Sequence, residues 1–313
     1  MPELPEVTTI VFGLNKKVKG LTIKDVWTDL PTGRQTGLRK QDIRSLKNPE
    51  YYKQFKKEVI GKKILKSERV GKNVLTHLSG NKTLLFHMKM TGHLLYGKWK
   101  QEKENNKLIW KPIKEGTPLS DPYNKFLHII FYLSNGYELA FSDVRKFGKV
   151  VLLDKGKEFE SKDLKHLGPD PMKENFSFTD FKKALMKKKD GAIKQILMTQ
   201  EIISGIGNIY SDEILWQSGI NPKERLKNIS EQDFKNIFKA TRNILDRSIK
   251  MGGDSMSDFR NIEGERGKYQ NCHLVYRQTG KVCKKKGCKG VILRTKVGGR
   301  SAHFCETHQA LKK

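Results

Sequence analysis

The sequence predicts an α+β chain: a two-layer β-sandwich with a first helix packed on it, then a helical module, then a β-hairpin that closes on a metal. Three observations carry this expectation. Between about 60 and 155 the chain holds short, β-rich runs separated by turn dipeptides. Past LGPDPM at 167–172 the apolar period changes from that of strands to that of helices. Three of the four cysteines, Cys283, Cys288 and Cys305, crowd into the last stretch of the chain with His303 and His308.

The chain opens MPELPEV. Val7, Ile10, Val11, Leu14 and Val18 then recur at helical spacing, and Gly20 is a natural stop. Proline is tolerated at a helix start because its missing N–H would have had no partner there. Pro2 and Glu3 therefore fall just ahead of a helix N-terminus. A small second residue favours removal of the initiator Met, which would leave Pro2 as a secondary amine. The runs RVGKNVLTHL, TLLFHM, LHIIFYL, YELAFS and KVVLL read as strands. Two stretches, 28–58 and 95–125, read as long loops, the second a polar insertion.

LGPDPM reads as a linker. Beyond it, Thr179 is placed to cap a helix carrying Phe181 and Leu185. Ser230 is placed to cap one with Phe234, Ile237, Phe238, Thr241, Ile244 and Leu245 on one face. Between them, GIGNIYSDEIL at 205–215 sets a Gly-spaced turn before a helix, an arrangement suited to an anion such as phosphate. After the glycines at 252–253, DSMSDFRNIEGERGKYQN reads as a mobile loop.

The tail is spaced Cys283-x4-Cys288-x16-Cys305-x2-His308. Two close pairs joined by a hairpin are the layout of a closed, structural zinc site, so one Zn²⁺ is expected. Cys272 lies outside the pattern. His303 competes with His308 as fourth ligand, but its single-residue gap from Cys305 suits a turn less well. The hairpin carries Lys289, Arg294, Lys296 and Arg300, the last in a GGR turn suited to a phosphate backbone.

The formal net charge is +28 and the pI about 9.8 over 313 residues. A Lys-biased composition contributes, but so large a charge repels itself and points to an anionic partner, nucleic acid first. No apolar run approaches a membrane span, and no signal-peptide layout begins the chain.

MPELPEV, Lys72 in VGKNVL, HMKMTG, DVRKFG, LGPDP, IKQILMTQ, SGIGNIYSDEIL, GGDSMSDF and GGRSAHFC follow one another along the chain. In that combination the sequence closely resembles the Fpg/Nei family of base-excision-repair DNA glycosylases, on the Fpg (formamidopyrimidine-DNA glycosylase) side. The resemblance implies a helix–two-turn–helix module in the second part. It implies catalytic roles for Pro2 as nucleophile, Glu3 as general acid, Lys72, and Arg300 at the backbone. It implies DNA contacts by Glu6, His87, Met90, Arg145, Phe147, Lys194 and Asn208, with Met90, Arg145 and Phe147 filling the void left by an extruded base. The family's usual DPRRFG stands here as DVRKFG, and its x2/x2 all-Cys knuckles as x4/x2 with a His. Phe126 replaces a His that contacts DNA in some members.

The expected organisation is a catalytic β-sandwich over 1–166, a linker over 167–175, a helical DNA-binding domain over 176–267 with a lesion-capping loop at about 254–270, and a zinc finger over 268–313. The implied activity is a bifunctional glycosylase and AP lyase acting on oxidised purines, 8-oxoguanine and formamidopyrimidines. The alternatives are a Nei-like enzyme for oxidised pyrimidines and a non-catalytic damage-binding protein. The expected partner is double-stranded DNA with oxidised bases or abasic sites, bound by a monomer without a membrane. The expected location is intracellular with DNA, in a nucleus or a bacterial cytoplasm.

Overall fold

The structure, a computed structural model, describes residues 1–30, 45–104, 107–188 and 190–311. It divides into two compact units. One comprises Met1–Pro2, Glu6–Ser161 and Gly252–Gly267; the other comprises Glu3–Pro5, Lys162–Met251 and Lys268–Lys313. The 252–267 segment, expected with the helical domain, thus groups with the β unit.

In the first unit, helix α1 (Leu4–Lys17) is followed by strand β1 (Ile23–Thr28) and helix α2 (Pro49–Val59). Strands β2 (Ile64–Val70), β3 (Asn73–Leu78), β4 (Lys82–His87) and β5 (His93–Gly97) come next. The unit continues through β6 (Trp99–Glu104), β7 (Lys107–Pro112), β8 (Leu127–Leu133), β9 (Glu138–Ser142) and β10 (Lys149–Asp154). Two antiparallel four-stranded sheets, ordered β1-β8-β9-β5 and β10-β4-β3-β2, form the expected sandwich. Alternate residues of both line one core, among them Val26, Ile129, Phe131 and Phe141 from the first sheet and Val74, Leu84, Phe86 and Val150 from the second. The predicted face of α1, with Val7, Ile10, Val11 and Leu14, packs into the same core. Burying such side chains is worth roughly 1.5–3 kcal/mol each, which is what holds a helix to a sheet.

Three expectations change here. Of the stretch 28–58, residues 31–44 lie outside the described residues, while 49–59 is α2, capped by Asn48 accepting from the Glu50 and Tyr51 amides. RVGKNVLTHL is not one strand but two, β2 and β3, with Gly71 and Lys72 at the turn between the paired Val70 and Asn73. The stretch 95–125 is not a loop. Strands β6 and β7 pair as a hairpin, and short 3₁₀ turns follow at Pro118–Ser120 and Pro122–Asn124. Trp99 and Trp110 from the hairpin join Trp27, Leu95, Leu127, Ile130 and Leu119 in a second apolar cluster. That cluster covers the outer face of β8, so LHIIFYL is buried on both faces and needs no polar alternation.

The second unit holds α3 (Phe178–Met186), α4 (Ile193–Met198), α5 (Asn208–Ser218) and α6 (Glu231–Lys250), then the hairpin β11 (Ile292–Val297) and β12 (Arg300–Cys305). Ser177, not Thr179, caps α3. Its hydroxyl accepts from the Asp180 amide while the Asp180 carboxylate accepts from the Ser177 amide, a reciprocal box that Thr179 has no acid in position to make. Ser230 and Asp233 make the same box on α6, as the sequence predicts for that cap. Phe181, Leu185, Ile196, Tyr210, Ile214, Phe234, Ile237 and Ile244 form the core, joined by Leu4 from the start of the chain. Among the described residues no helix is long and apolar enough to cross a membrane.

Candidate functional site

The turn SGIGN, expected to hold an external anion, already holds one from the chain itself. The Glu3 carboxylate accepts from the Gly207 amide at 2.6 Å and from the Ile209 amide at 2.9 Å, at the N-terminus of α5. The Leu4 amide donates to the Gly205 carbonyl at 3.0 Å. A Cβ on Gly207 would lie 2.5 Å from the Glu3 carboxyl carbon, so glycine is required by close approach. The unsatisfied amides and positive end of a helix favour a carboxylate at this place. Glu3 is thereby fixed, buried, next to Pro2.

In the first unit Pro2 and Lys72 are both buried, and Met1 before Pro2 is exposed. Lys72 sits on the β2–β3 turn. His87 ends β4, pairs across with Asn73 and Lys149, and accepts from the Lys89 amide through Nδ1. Met90 lies in the β4–β5 connection, and Arg145 and Phe147 lie in the β9–β10 connection. All three are exposed, Met90 by 39% and Phe147 by 53%. The Arg145 guanidinium carbon stands 4.5 Å from the centre of the Phe147 ring. One buried carboxylate ties the two connections together. Asp143 accepts from the Thr91 hydroxyl, beside Met90, and from the amides of Arg145 (3.2 Å) and Gly148 (2.6 Å). Sequence reasoning passed over Asp143 and Thr91; the signal was an Asp heading a loop, where its side chain bonds nearby amides.

Glu6, expected at the DNA, is buried, and its Oε1 accepts from the Asp254 amide at 2.7 Å. It therefore anchors the start of the 254–267 segment. That segment is not a free loop: Ser255, Phe259, Arg260 and Ile262 are buried, and Phe259 and Ile262 enter the sandwich core.

Lys194, expected at the DNA, has a side chain with no solvent exposure that is ion-paired with Asp212, with Ser211 at 3.2 Å. Charge this deeply buried persists only when paired, and Asp212 supplies the pair. The other Asp212 oxygen accepts from the His303 amide (3.0 Å) and lies 2.8 Å from His303 Nδ1. The network thus joins α4, α5 and β12. His303 is committed there, edge-on to Tyr276, which removes it as a metal ligand. Asn208 opens α5 half-buried, and its Oδ1 finds no hydrogen-bond partner among the described residues. Arg300 is exposed at the start of β12, beyond a two-residue turn in which Gly298 and Gly299 have φ of +56° and +76°. Positive φ at both central positions is the hairpin geometry that glycine alone adopts at no cost.

Cys283, Cys288, Cys305 and His308 bring four donor atoms within 4.8 Å of one another and could hold a metal ion. Cys288 Sγ lies 3.6 Å from Cys305 Sγ, and Cys283 Sγ 3.2 Å from His308 Nδ1. His308 Nε2 donates to the Trp216 carbonyl at 3.1 Å; because a carbonyl only accepts, Nε2 carries the hydrogen and Nδ1 keeps a lone pair for an ion. Trp216, Val275 and Ile292 pack around the two buried cysteines. Cys272 stays outside the cluster, as the spacing predicts.

A two-sheet sandwich, a helical module whose α5 begins on an internal carboxylate, and a Cys/His hairpin together define the architecture of a base-excision DNA glycosylase. The chain belongs to the formamidopyrimidine-DNA glycosylase family. The profile of that family's N-terminal domain matches residues 1–150, and that of its H2TH domain matches 167–260. The formamidopyrimidine-DNA glycosylase of Pelotomaculum thermopropionicum is 35% identical, with all of both chains covered. That of Oceanobacillus iheyensis is 34% identical over all of this chain and 99% of its own. Among solved structures, the Lactococcus lactis Fpg bound to DNA containing an abasic site superposes with a TM-score of 0.80 at 28% identity, covering 98% of this chain and 99% of that one. The same Lactococcus protein bound to DNA containing an oxidised pyrimidine gives 0.79 at 29% identity, covering 99% and 100%.

Proposed function

We propose that the chain is a bifunctional DNA glycosylase and AP lyase that excises oxidised purines, 8-oxoguanine and formamidopyrimidines, from double-stranded DNA in base-excision repair. The observation that carries this reading is the placement of Glu3, the residue that follows Pro2 in the chain, whose carboxylate is held by the Gly207 and Ile209 amides at the start of α5. Once Met1 is removed, Pro2 carries a secondary α-amine, a group that titrates near 8 in general, so a useful fraction is neutral at pH 7. The positive end of α1 disfavours its cation further.

In the proposed reaction the Pro2 nitrogen attacks C1′ of the damaged nucleotide, and the C1′–base bond breaks with the N–H proton shed by Pro2 going to the leaving base. Glu3 protonates the ring oxygen as the sugar opens, and the carboxylate it leaves accepts the C2′ proton afterwards. Loss of the ring oxygen from C1′ leaves an iminium, which accepts the electron pair when a C2′ proton is removed and the 3′-phosphate departs. Lys72 and Arg300 are the cations for the adjoining phosphates. Met90, Arg145 and Phe147 occupy the space of the extruded nucleotide, offsetting an unstacking cost of a few kcal/mol. Asn208 offers its amide to a phosphate at the helix start.

The metal is Zn²⁺ on this reading. A tetrahedron with Zn–S bonds of about 2.3 Å has edges of about 3.8 Å, close to the Cys288–Cys305 separation of 3.6 Å. Its contribution is to staple the hairpin that presents Arg300. The protein would act inside the cell, where the DNA is.

Borohydride trapping on abasic-site DNA tests the reading. A covalent adduct is expected, weakened by Pro2→Gly and abolished by an N-terminal extension. Correctly processed protein that yields no adduct would leave only a damage-binding role.

A further inference from the structure

Residues 252–267 of the first unit are fastened at both flanks. On one side the Asp254 amide donates to Glu6, and the Ser255 hydroxyl bonds the Phe259 carbonyl and the Gly267 amide. On the other, the Tyr96 amide donates to the Ile262 carbonyl, Phe259 and Ile262 lie in the sandwich core, and Lys17 pairs with Glu263. Between the flanks stands a short tip, Met256–Asp258, with Ser257 exposed.

One buried cation governs that tip. Arg260 is 2% exposed, and its NH1 donates to the Ser257 carbonyl (2.9 Å) and the Phe259 carbonyl (2.8 Å). Its NH2 donates to both oxygens of Asp121, at 3.0 and 2.9 Å, and the Tyr123 ring centre lies 4.9 Å from its guanidinium carbon. Asp121 is itself immobilised, because its carboxylate caps the 3₁₀ turn by accepting from the Tyr123 amide. Asn124, fully buried, completes the support. It donates to the carbonyls of Gly264 and Pro118 and accepts from His93 Nε2. The insertion that the sequence presents as a polar loop is thus the platform on which the 252–267 segment stands.

We propose that the Arg260–Asp121 pair is a positioning device for base discrimination, fixing the Met256–Asp258 tip through the Ser257 carbonyl. This rests on the proposed glycosylase reading, in which the tip meets the extruded base. Loss of Arg260 leaves the Phe259 and Ile262 anchors in place, so the segment stays docked while its tip is released. Excision of a damaged base then suffers, whereas cleavage at a site that has no base does not.

The test compares single-turnover excision of 8-oxoguanine with strand cleavage at a preformed abasic site, for the parent, Arg260→Met and Arg260→Lys. Arg260→Met is expected to lose about tenfold or more in excision, as small misplacements do, with abasic-site cleavage unchanged within about twofold. Hydrogen exchange should quicken at the amides of 256–259 alone. Arg260→Lys keeps the charge without the two-pronged contact and should fall between, which guards against poor folding of the Met variant. Parallel loss of both activities, or retention of both, would overturn the assignment. A parent protein that cuts neither substrate would remove the glycosylase reading and this assignment with it. A competent parent whose variants keep its ratio removes this assignment alone.

Discussion

Glu3 and Gly207 are joined by a 2.6 Å hydrogen bond, from the amide that opens α5 to a carboxylate more than two hundred residues earlier. The bond fixes what the Gly-rich turn is for. An external phosphate and the Glu3 carboxylate compete for the same amides, and the chain supplies its own anion. The glycines of the turn serve the approach of residues 3 and 4, and Leu4 continues from there into the helical core.

Gly207→Ala tests that relationship. The backbone φ of −132° is open to any residue, so the new Cβ matters only by its collision with the carboxylate. Displacing Glu3 should slow adduct formation on abasic DNA by about tenfold or more, and overpacking should cost about 1–3 kcal/mol of stability. Affinity for undamaged duplex should hold. Wild-type trapping rates in the Ala variant would show that Glu3 needs no such placement.

The metal cluster makes a second prediction. Chelation or Cys305→Ser should lower the unfolding temperature of the second unit, because the apolar cluster around it, Trp216, Val275 and Ile292, is small. Duplex binding should weaken, and the slope of log affinity on log salt should fall by about 0.9 for each phosphate that the hairpin no longer reaches. Binding measured at matched salt before and after confirmed metal removal decides it; an unchanged slope would mean that Arg300 and its neighbours do not touch DNA.

Much of the fold was legible because its signals are local. The period of α1, the change of period at LGPDPM and the Cys spacing are each read within a short stretch, the longest running from Cys283 to His308. The misread parts depend on distant partners. Trp99 and Trp110 look like stray aromatics in a polar stretch until β8 is seen to lack a cover on its outer face. Lys194 looks like one more basic residue in a chain of +28, and only Asp212 on a different helix explains its burial. Thr179 and Ser177 are equally good caps by type; Asp180 decides between them by its distance from each.

Asp212→Asn should be among the more destabilising single changes in the second unit. It leaves the Lys194 ammonium buried without a counter-charge and weakens the hold on His303. Breaking one side of such a pair costs about 3–5 kcal/mol. Replacing both partners, as in Lys194→Met with Asp212→Leu, should recover a large part of that stability. Denaturant unfolding of Lys194→Met, of Asp212→Leu and of the double variant measures the coupling, and additive effects would contradict the pairing.

His77 makes the last prediction, which concerns acid. On β3, its Nε2 lies 2.9 Å from Glu68 and its Nδ1 3.8 Å from Glu158. Burial alone would raise both carboxyls. For Glu68 the hydrogen bond and charge of His77, with Lys66, outweigh burial and hold it below the ordinary value. For Glu158, backbone amides including Gly156, the Thr83 hydroxyl and the charge of His77 do the same. A carboxyl lowered in the folded state releases its proton more readily there than in the unfolded chain. Its contribution is therefore complete above the ordinary glutamate value of about 4.3 and is lost as pH falls below it. Glu158→Gln should be less stable than the parent at pH 7, with a gap that closes as pH falls from about 5 to about 3. Urea unfolding at several pH values measures it, in a Trp216→Phe background so that Trp27, Trp99 and Trp110 report the first unit. A gap of constant size across that range would show that Glu158 takes no part in acid unfolding.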